Sequence, residues 1–411
     1  MIVKFTELYQ KDLEMQKARY EMIAAGYEEY YGKAPLSFFS APGRTEVGGN
    51  HTDHNHGCVL AAAVDLDIVA AAAPNGENVV RLKSAEYEKL DEIGLADLSV
   101  QAEEAEKSAS LIRGVCARCR ELGYRVEGFN AYTATQVLKG SGLSSSAAFE
   151  VVVVTIISHL FNDGKIDAVT AAQIAQYAEN VYFGKPSGLM DQTASSVGGF
   201  TAIDFRDPKN PVLEKVDFNL AQEGYALCIV DTGGNHADLT GDYAAIPKEM
   251  KEVAGLLGAK VLREADEGEF WERLKELREK AGDRAVLRAM HFFSDNRLAQ
   301  EEAKALKAGD FAAFKEMIIA SGRSSATRLQ NVFACHNPSE QGLSLALAVS
   351  EKLLAGKGAW RVHGGGFAGT IQAFVPMDML EDYRESMEKV FGEGSCHVLS
   401  IRSAGGTKVE I

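Results

Sequence analysis

Residues 139–150 read KGSGLSSSAAFE, and the apolar segment VVVVTIISHLF follows them directly at residues 151–161. Glycines and serines in front of such a segment predict a loop that enters the first turn of a buried helix. The N–H groups of a first turn lack partners within the helix, and the helix dipole favours negative charge there. We interpret the stretch as a site for the triphosphate of ATP, and a turn that merely begins a helix is the alternative.

The composition is that of a globular protein with an acidic excess. The chain has 411 residues, 46% of them hydrophobic, and 58 acidic side chains against 43 basic ones give a net charge of −15. This charge disfavours nucleic acids and anionic membranes, so we expect neither as a partner. The length allows two or three domains.

The cysteines and the N-terminal sequence bear on location. Six cysteines at scattered spacings do not form the pattern of a disulfide framework. The N-terminal sequence MIVKFTELYQKDLEMQ lacks the apolar core of a signal peptide. We therefore expect a cytoplasmic protein, and we take a monomer or a weak dimer as the expected oligomeric state.

Several strands are predicted in the first quarter of the chain. The sequence SFFSAPGR at 37–44 predicts a short strand that breaks at Pro42-Gly43. A run of small apolar residues at 58–73 predicts further strands. Asn75-Gly76 predicts a hairpin turn, with the segment beginning at Val79 as the return strand.

A domain boundary is predicted near the middle of the chain. Pro208, Asn210 and Pro211 interrupt the strand pattern there. We predict an N-terminal domain over residues 1–205 and a C-terminal domain over residues 206–411.

A dense polar cluster lies between two strand-like segments, in APGRTEVGGNHTDHNHG at residues 41–57. Carboxylate, amide and imidazole groups together donate and accept hydrogen bonds, as a polyhydroxylated ligand requires. We interpret the cluster as a sugar site, and a zinc site is the alternative, since three histidines and an aspartate could ligate zinc. The polar residues are Arg44, Glu46, Asn50, His51, Asp53, His54, Asn55 and His56.

Together with GKPSGLMDQTAS at 184–195 and HGGGFAG at 363–369, these motifs resemble those of galactokinases, in the GHMP superfamily of small-molecule kinases. The order and distances of the motifs match, and the resemblance covers nearly the whole chain. It implies a two-lobed α+β fold, with an N-terminal ATP-binding domain, a C-terminal ferredoxin-like domain and the active site in the cleft. It also implies ATP-dependent phosphorylation of the anomeric hydroxyl of galactose.

The resemblance implies two catalytic residues. Asp191 of LMDQ matches the family's catalytic aspartate, and Arg44 of PGR matches the arginine beside it. In these roles Asp191 would accept the proton of the attacking sugar hydroxyl. Arg44 would keep Asp191 ionised and stabilise charge on the transferred phosphoryl group.

The resemblance also implies ATP and Mg²⁺ as cofactors. Ser145 together with Glu179 of AENVYF matches the family's magnesium site, which suits an ion that prefers hard oxygen ligands. The residues that match the phosphate loop are Gly140, Gly142, Leu143, Ser144, Ser145 and Ser146.

The sugar contacts implied by the resemblance include one departure from the family. Galactokinases usually read GEHTDYNGG where this chain reads GNHTDHNHG, so Asn50 replaces a glutamate that accepts a sugar hydroxyl. A neutral pocket tolerates a carboxylate at C6 better than a glutamate does, because two like charges would otherwise be buried together. The assigned sugar-binding residues are Asn50, His51, Asp53, Gly188 and Tyr243.

Two kinds of alternative function remain open. The first is a kinase for a related sugar, namely galacturonate, N-acetylgalactosamine or arabinose. The second is a catalytically idle family member that senses a sugar as a regulator. The presence of Arg44, Asp191 and Glu179 in the matching motifs speaks against the second alternative.

Overall fold

Two β-sheets with helices packed on them organise the structure, a computed structural model that describes residues 2–9, 11–137, 142–185, 187–234 and 239–411. In chain order the strands are β1 (Ile2–Lys4), β2 (Ser37–Gly48), β3 (Cys58–Pro74), β4 (Val79–Ser84), β5 (Leu90–Gly94), β6 (Phe129–Thr135), β7 (Phe200–Asp204), β8 (Val212–Val216), β9 (Tyr225–Asp231), β10 (Ala359–Val362), β11 (Thr370–Pro376), β12 (Cys396–Leu399) and β13 (Thr407–Glu410).

The helices pack on the faces of these sheets. In chain order they are α1 (Phe5–Leu8), α2 (Leu13–Tyr31), α3 (Ser108–Glu121), α4 (Ser145–Phe161), α5 (Ala168–Tyr177), α6 (Met190–Val197), α7 (Thr240–Leu256), α8 (Glu267–Glu272), α9 (Leu274–Ala281), α10 (Asp283–Lys307), α11 (Phe311–Ser324), α12 (Gly342–Leu354) and α13 (Leu380–Phe391). Within the described ranges, none of them has the length and apolarity to cross a bilayer.

The first sheet has the strand order β1-β13-β2-β3-β6-β4-β5, and the hairpin of β7 and β8 joins it along β3. Its central strand β3 has small residues facing both ways. Ala71 and Ala73 pack in a cluster with side chains of α2, and Ala70 and Ala72 pack in the main core with side chains of α4. Because side chains alternate along a strand, the alanines let a helix approach each face of the sheet closely.

The second sheet is antiparallel, with the order β10-β11-β9-β12. One face carries Cys228 and Ile371 against α12 and α13. The opposite face carries Leu227 and Phe374, which belong to the same hydrophobic core as β2, β3 and α4. The two sheets therefore share one core, and the residues at their junction are held in fixed relative positions.

Two details of the predicted strands are wrong. Strand β2 does not break at Pro42-Gly43 but continues to Gly48, with a register shift between Pro42 and Arg44 that keeps it paired with β3. The segment beginning at Val79 is not the return strand of a hairpin with β3. It forms β4, which pairs with β5 and β6, and β6 lies between it and β3.

The sheet topology bears on the predicted domains. Strand β8 pairs with β7 in the first sheet, and the C-terminal strand β13 also returns to that sheet, between β1 and β2. The division at 205/206 remains a prediction. Strands β8 and β13 both follow this boundary in the sequence, and both nevertheless belong to the first sheet.

Candidate active site

The stretch 139–150 leads into α4, which begins at Ser145. Gly142 and Ser144 both have positive φ angles, 73° and 53°, so the chain turns sharply before the helix. The hydroxyl of Ser144 does not cap α4 but donates to Asp191 Oδ2. The N–H groups of the first turn of α4 are therefore not capped by this side chain. Gly140 of the predicted phosphate loop lies outside the described residues.

An ion pair joins the two predicted catalytic residues. Arg44 Nε donates to Asp191 Oδ1 at 2.7 Å, and Arg44 Nη1 donates to the carbonyl of Gly142. The backbone N–H of Arg44 donates to the Leu143 carbonyl at 3.0 Å. Arg44 on β2 thus holds both the loop before α4 and the carboxylate at the start of α6.

Burial and charge act in opposite directions on Asp191. Burial alone would raise the pKa of Asp191, but the charge of Arg44 and hydrogen bonds from Arg44 and Ser144 hold that pKa below its usual value. The Asp191 side chain keeps 24% of its surface exposed, whereas the Arg44 side chain keeps 8%. The carboxylate is therefore ionised at neutral pH and still partly exposed to solvent.

The predicted metal ligand Glu179 is almost fully buried, on a π-helical turn (Ala178–Phe183) that continues α5. Its Oε1 accepts from Ser146 Oγ at 3.0 Å and from Lys185 Nζ at 3.2 Å. Within α4 the hydroxyl that reaches Glu179 is thus that of Ser146. Ser145, the predicted serine ligand, is the first residue of the helix.

Gln192 and Glu150 support Glu179, although neither was predicted. Gln192 Nε2 donates to Glu179 Oε2 at 2.7 Å and to Glu150 Oε2 at 3.1 Å. Burial, with the nearby charge of Glu179, raises the pKa of Glu150 well above its usual value. Both residues could have been found from the sequence, because Gln192 follows Asp191 and Glu150 ends the stretch 139–150.

The groups around Glu179 fit a hard divalent cation. Glu179 offers a carboxylate, the serines of α4 offer hydroxyls, and the helix N-terminus beside them suits the phosphates that would complete the coordination. These are oxygen donors, which Mg²⁺ prefers.

The sugar loop, residues 49–57, lies against the glycine turn, residues 364–366. His51 Nε2 donates to the Gly365 carbonyl at 2.9 Å. Burial, aided by the nearby His54, lowers the pKa of His51 to about 4, so the ring is neutral at pH 7. With the hydrogen on Nε2, His51 Nδ1 is a hydrogen-bond acceptor.

Asp53 lies close to Gly188, in the segment that precedes Asp191. A Cβ atom at Gly188 would lie 2.3 Å from Asp53 Oδ2, so only glycine allows this approach. Asp53 Oδ1 accepts the backbone N–H of His54 at 2.9 Å. A cleft opens here, lined by Asp53 and Gly188 together with His56 and Gln176. Asp53 therefore faces a cleft beside Gly188, and Gly188 precedes Asp191 by three residues in the sequence.

Tyr243 reaches the same glycine turn from α7. Its hydroxyl donates to the Gly366 carbonyl at 2.9 Å, and its ring meets Phe367 edge to face at a centroid distance of 5.4 Å. Burial raises the pKa of Tyr243 to about 12, so the hydroxyl stays protonated and donates.

Asn50 is enclosed by protein groups. It has no exposed surface, and its amide makes four hydrogen bonds within the chain, to groups on four different segments. A direct contact with a sugar would require one of these bonds to be exchanged. The predicted sugar contact of Asn50 thus meets a geometric obstacle that the sequence did not reveal.

The geometry of the polar cluster gives the zinc alternative no support. Across the described ranges, which include His51, Asp53, His54 and His56, no group of three or more His, Cys, Asp or Glu side chains is arranged to hold a metal ion. The main chain turns at His51 and His56, both with positive φ.

Buried charges lie beneath the sugar loop. Glu46 Oε1 accepts from Arg361 Nη2 at 2.7 Å, and both residues are buried. Glu302 of α10 is fully buried nearby, and neither of its carboxyl oxygens has a hydrogen-bond partner. Burial and the neighbouring Asp295 and Glu46 raise the pKa of Glu302 to about 8, against the smaller opposing effect of Arg361. Glu302 is therefore mostly protonated at neutral pH.

Two family descriptions match the sequence. Residues 25–74 match the "Galactokinase galactose-binding signature", and residues 110–199 match the "GHMP kinases N terminal domain". The first range contains the sugar loop, and the second contains α4, Glu179 and Asp191.

Curated relatives align over nearly the whole chain. Galactokinase from Streptomyces coelicolor is 31% identical over 371 residues, which span 90% of this chain and 92% of the relative. Galactokinase from Actinobacillus pleuropneumoniae is 28% identical over 369 residues, spanning 89% and 91%.

Solved structures share the fold. Lactococcus lactis galactokinase complexed with galactose superposes with a TM-score of 0.80 at 25% identity, covering 94% of this chain and 98% of that one. Methanococcus jannaschii mevalonate kinase has a TM-score of 0.63 at 13% identity, covering 90% and 99%, and shows likeness of fold alone. The predicted two-lobed α+β kinase fold is confirmed.

The buried acid Glu302 generates a prediction about stability. An unfolded glutamate ionises near pH 4.5, whereas folded Glu302 keeps its proton up to about pH 8, so this residue costs stability progressively as the pH rises between these values. Replacing it by glutamine, Glu302→Gln, removes that cost. We expect a gain of at least about 1 kcal/mol at pH 8, since one unit of pKa shift corresponds to about 1.4 kcal/mol, and little gain at pH 5.

Urea unfolding at the two pH values measures this difference. Glu316→Gln on the exposed face of α11 is the matched control and should leave stability nearly unchanged at both. An equal effect of Glu302→Gln at pH 5 and pH 8 would show that the folded protein does not hold Glu302 in its neutral form.

Proposed function

The chain belongs to the galactokinase family, and on that premise we propose that it transfers the γ-phosphoryl group of ATP to the anomeric hydroxyl of galactose. The observation that carries the proposal is the Arg44–Asp191 ion pair, placed at the N-termini of α4 and α6 and beside the sugar loop. The pair offers an ionised base and a fixed cation side by side. An attacking hydroxyl and a phosphoryl group require these two groups together.

The proton moves to Asp191 in this proposal. As the C1 oxygen of the sugar forms its bond to the γ-phosphorus, the bond from that phosphorus to the β–γ bridging oxygen breaks and ADP leaves. The hydroxyl proton passes to a carboxylate oxygen of Asp191, whose lowered pKa ensures that it is ionised beforehand. Arg44 keeps the carboxylate in place and offsets negative charge on the transferred group.

The first turn of α4 would hold the phosphates. In this proposal the backbone N–H groups after Ser144 and the hydroxyls of Ser145 and Ser146 bind them, and the helix dipole has the favourable direction for an anion. Glu179 and Ser145 are the proposed magnesium ligands. When bound, the ion neutralises phosphate charge. Gln192 fixes the orientation of the Glu179 carboxylate.

The sugar would lie between the sugar loop and the segment that precedes Asp191. Asp53 is the proposed acceptor for sugar hydroxyls, and His51 Nδ1 is a second acceptor. Gly188 leaves room for Asp53, and Tyr243 closes the site from α7 through the glycine turn. Galacturonate, N-acetylgalactosamine and arabinose remain the alternative acceptors, and we propose the cytoplasm, where ATP is supplied, as the location.

Replacing the proposed base tests the mechanism. Asp191→Asn keeps the size of the side chain but removes the charge that accepts the proton, so we expect kcat with galactose to fall by about 10²- to 10⁴-fold. Galactose affinity should change little, because the sugar contacts lie on other residues. A coupled ADP assay measures the first quantity, and calorimetric titration measures the second.

The exposed Asp382→Asn on α13 is the matched control and should keep the normal rate. A normal rate for Asp191→Asn would remove the assigned role of Asp191. A loss of galactose binding equal to the loss of rate would reassign Asp191 to sugar binding.

Replacing Glu179 tests the metal site. Glu179→Gln keeps the shape but removes the charge, so the Mg²⁺ concentration for half-maximal rate should rise by about tenfold or more, which corresponds to about 1.4 kcal/mol. The KM for galactose should stay within about twofold, because no proposed sugar contact changes. The rate is measured as a function of Mg²⁺ concentration, with Glu385→Gln on α13 as the control. An unchanged Mg²⁺ dependence in Glu179→Gln would place the ion elsewhere.

A further inference from the structure

Each carbonyl of the glycine turn 364–366 accepts a hydrogen bond from a side chain near the proposed sugar site. Asn50 Nδ2 donates to the Gly364 carbonyl at 2.7 Å, and His51 Nε2 donates to the Gly365 carbonyl at 2.9 Å. The Tyr243 hydroxyl donates to the Gly366 carbonyl at 2.9 Å. Two of these three donors are consecutive residues of the sugar loop. The loop and the turn are therefore joined as one unit.

The amide of Asn50 has no hydrogen-bonding capacity left for a ligand. An asparagine side chain has two N–H groups and an oxygen with two lone pairs. Besides Gly364, Nδ2 donates to Glu46 Oε1 at 2.9 Å. Oδ1 accepts from Ser325 Oγ at 3.1 Å and from Asn331 Nδ2 at 2.9 Å. All four positions are used, and the residue is 0% exposed.

The main chain of Asn50 is fixed as well. Its N–H donates to Asp295 Oδ2 at 2.6 Å, and its carbonyl accepts from His291 Nε2 at 2.9 Å. Both partners lie on α10 and are fully buried. Asn50 is thus anchored on one side to α10, while its side chain reaches the glycine turn on the other.

We propose that Asn50 is a positioning residue that does not contact the sugar. It joins the sugar loop to α10 and to the glycine turn, and so sets the positions of His51 and Asp53, which follow it in the loop. A buried group that already makes all its hydrogen bonds loses one for each it gives to a ligand, so it gains little by turning to the sugar. The proposal rests on the proposed function and refines the list of sugar contacts predicted from the sequence.

The surrounding charges explain why residue 50 is an amide in this chain. The family's usual glutamate would have no N–H for the Gly364 carbonyl and would lie beside the carboxyl group of Glu46. Glu46 is in turn paired with the buried Arg361. Asn50 therefore fits its protein neighbours. Its replacement of a glutamate changes how the loop is held and does not by itself indicate a sugar with a carboxylate at C6.

Sugar analogues distinguish a positioning residue from a contact. Asn50→Ala and Asp53→Ala would each be assayed with galactose and with 2-, 3-, 4- and 6-deoxygalactose. A misplaced loop impairs every substrate, so Asn50→Ala should lower kcat/KM by a similar factor, about 10- to 100-fold, for all five sugars. Asp53 is the proposed direct contact. The loss of kcat/KM in Asp53→Ala should therefore be smaller with the analogue that lacks the hydroxyl bound by Asp53. A loss for Asn50→Ala that disappears with one analogue would overturn the proposal.

Amide hydrogen exchange of the ligand-free protein tests the same proposal independently of catalytic activity. The Phe367 N–H donates to the Asn331 carbonyl at 2.5 Å, next to the turn that Asn50 holds. Exchange of peptides covering 364–369 should accelerate at least about tenfold in Asn50→Ala, and less in the milder Ser325→Ala. Asp53→Ala should leave it unchanged. Unchanged exchange in both Asn50→Ala and Ser325→Ala would overturn the proposal.

The two measurements separate this proposal from the proposed function. If the wild-type protein does not phosphorylate galactose, the proposed function fails, and hydrogen exchange alone decides the role of Asn50. If galactose is phosphorylated and the analogue losses are uneven for Asn50→Ala, the proposed function stands and the positioning role fails.

Discussion

The Arg44–Asp191 ion pair is the interaction on which the rest of the site depends. It links β2 with α6, and through the Gly142 carbonyl and the Ser144 hydroxyl it also fixes the approach to α4. A carboxylate so largely buried is costly unless its partners are in place, so the pair requires these segments to assemble in one arrangement. That arrangement puts an ionised carboxylate beside the anion-binding end of a helix, which is the requirement of phosphoryl transfer to a hydroxyl.

The residues that the structure brings together around Asp191 each lie in a short local motif. Arg44, Ser144 and Asp191 could therefore be singled out from the sequence without the fold, and their roles stay predictions. Strand pairing was less accessible, because β6 is inserted between β3 and β4 although it follows both in sequence. The register shift after Pro42 was also missed, since proline normally ends a strand that must donate hydrogen bonds.

The interactions that could not be predicted from the sequence join residues that lie far apart in it. Arg361 pairs with Glu46 across 315 positions, and Asn331 reaches Asn50 across 281. Together with Glu302, whose pKa is raised by burial, they form a polar layer beneath the sugar loop that costs stability but leaves the loop few alternative positions. The change from glutamate to Asn50 looked like a change of substrate in the sequence. In the structure Asn50 is part of this layer. Under our proposal the choice of sugar depends instead on residues that face the cleft, such as Asp53.

The central claim is that a sugar bound beside Asp53 is phosphorylated at its anomeric oxygen, and the NMR spectrum of the product tests it most directly. Wild-type protein would be incubated with ATP, Mg²⁺ and either galactose or galacturonate, and the ¹H and ³¹P spectra recorded. We predict a galactose product whose anomeric proton is coupled to phosphorus, formed faster than any product from galacturonate. Coupling of phosphorus to a proton at another carbon, or galacturonate 1-phosphate as the only product, would contradict it.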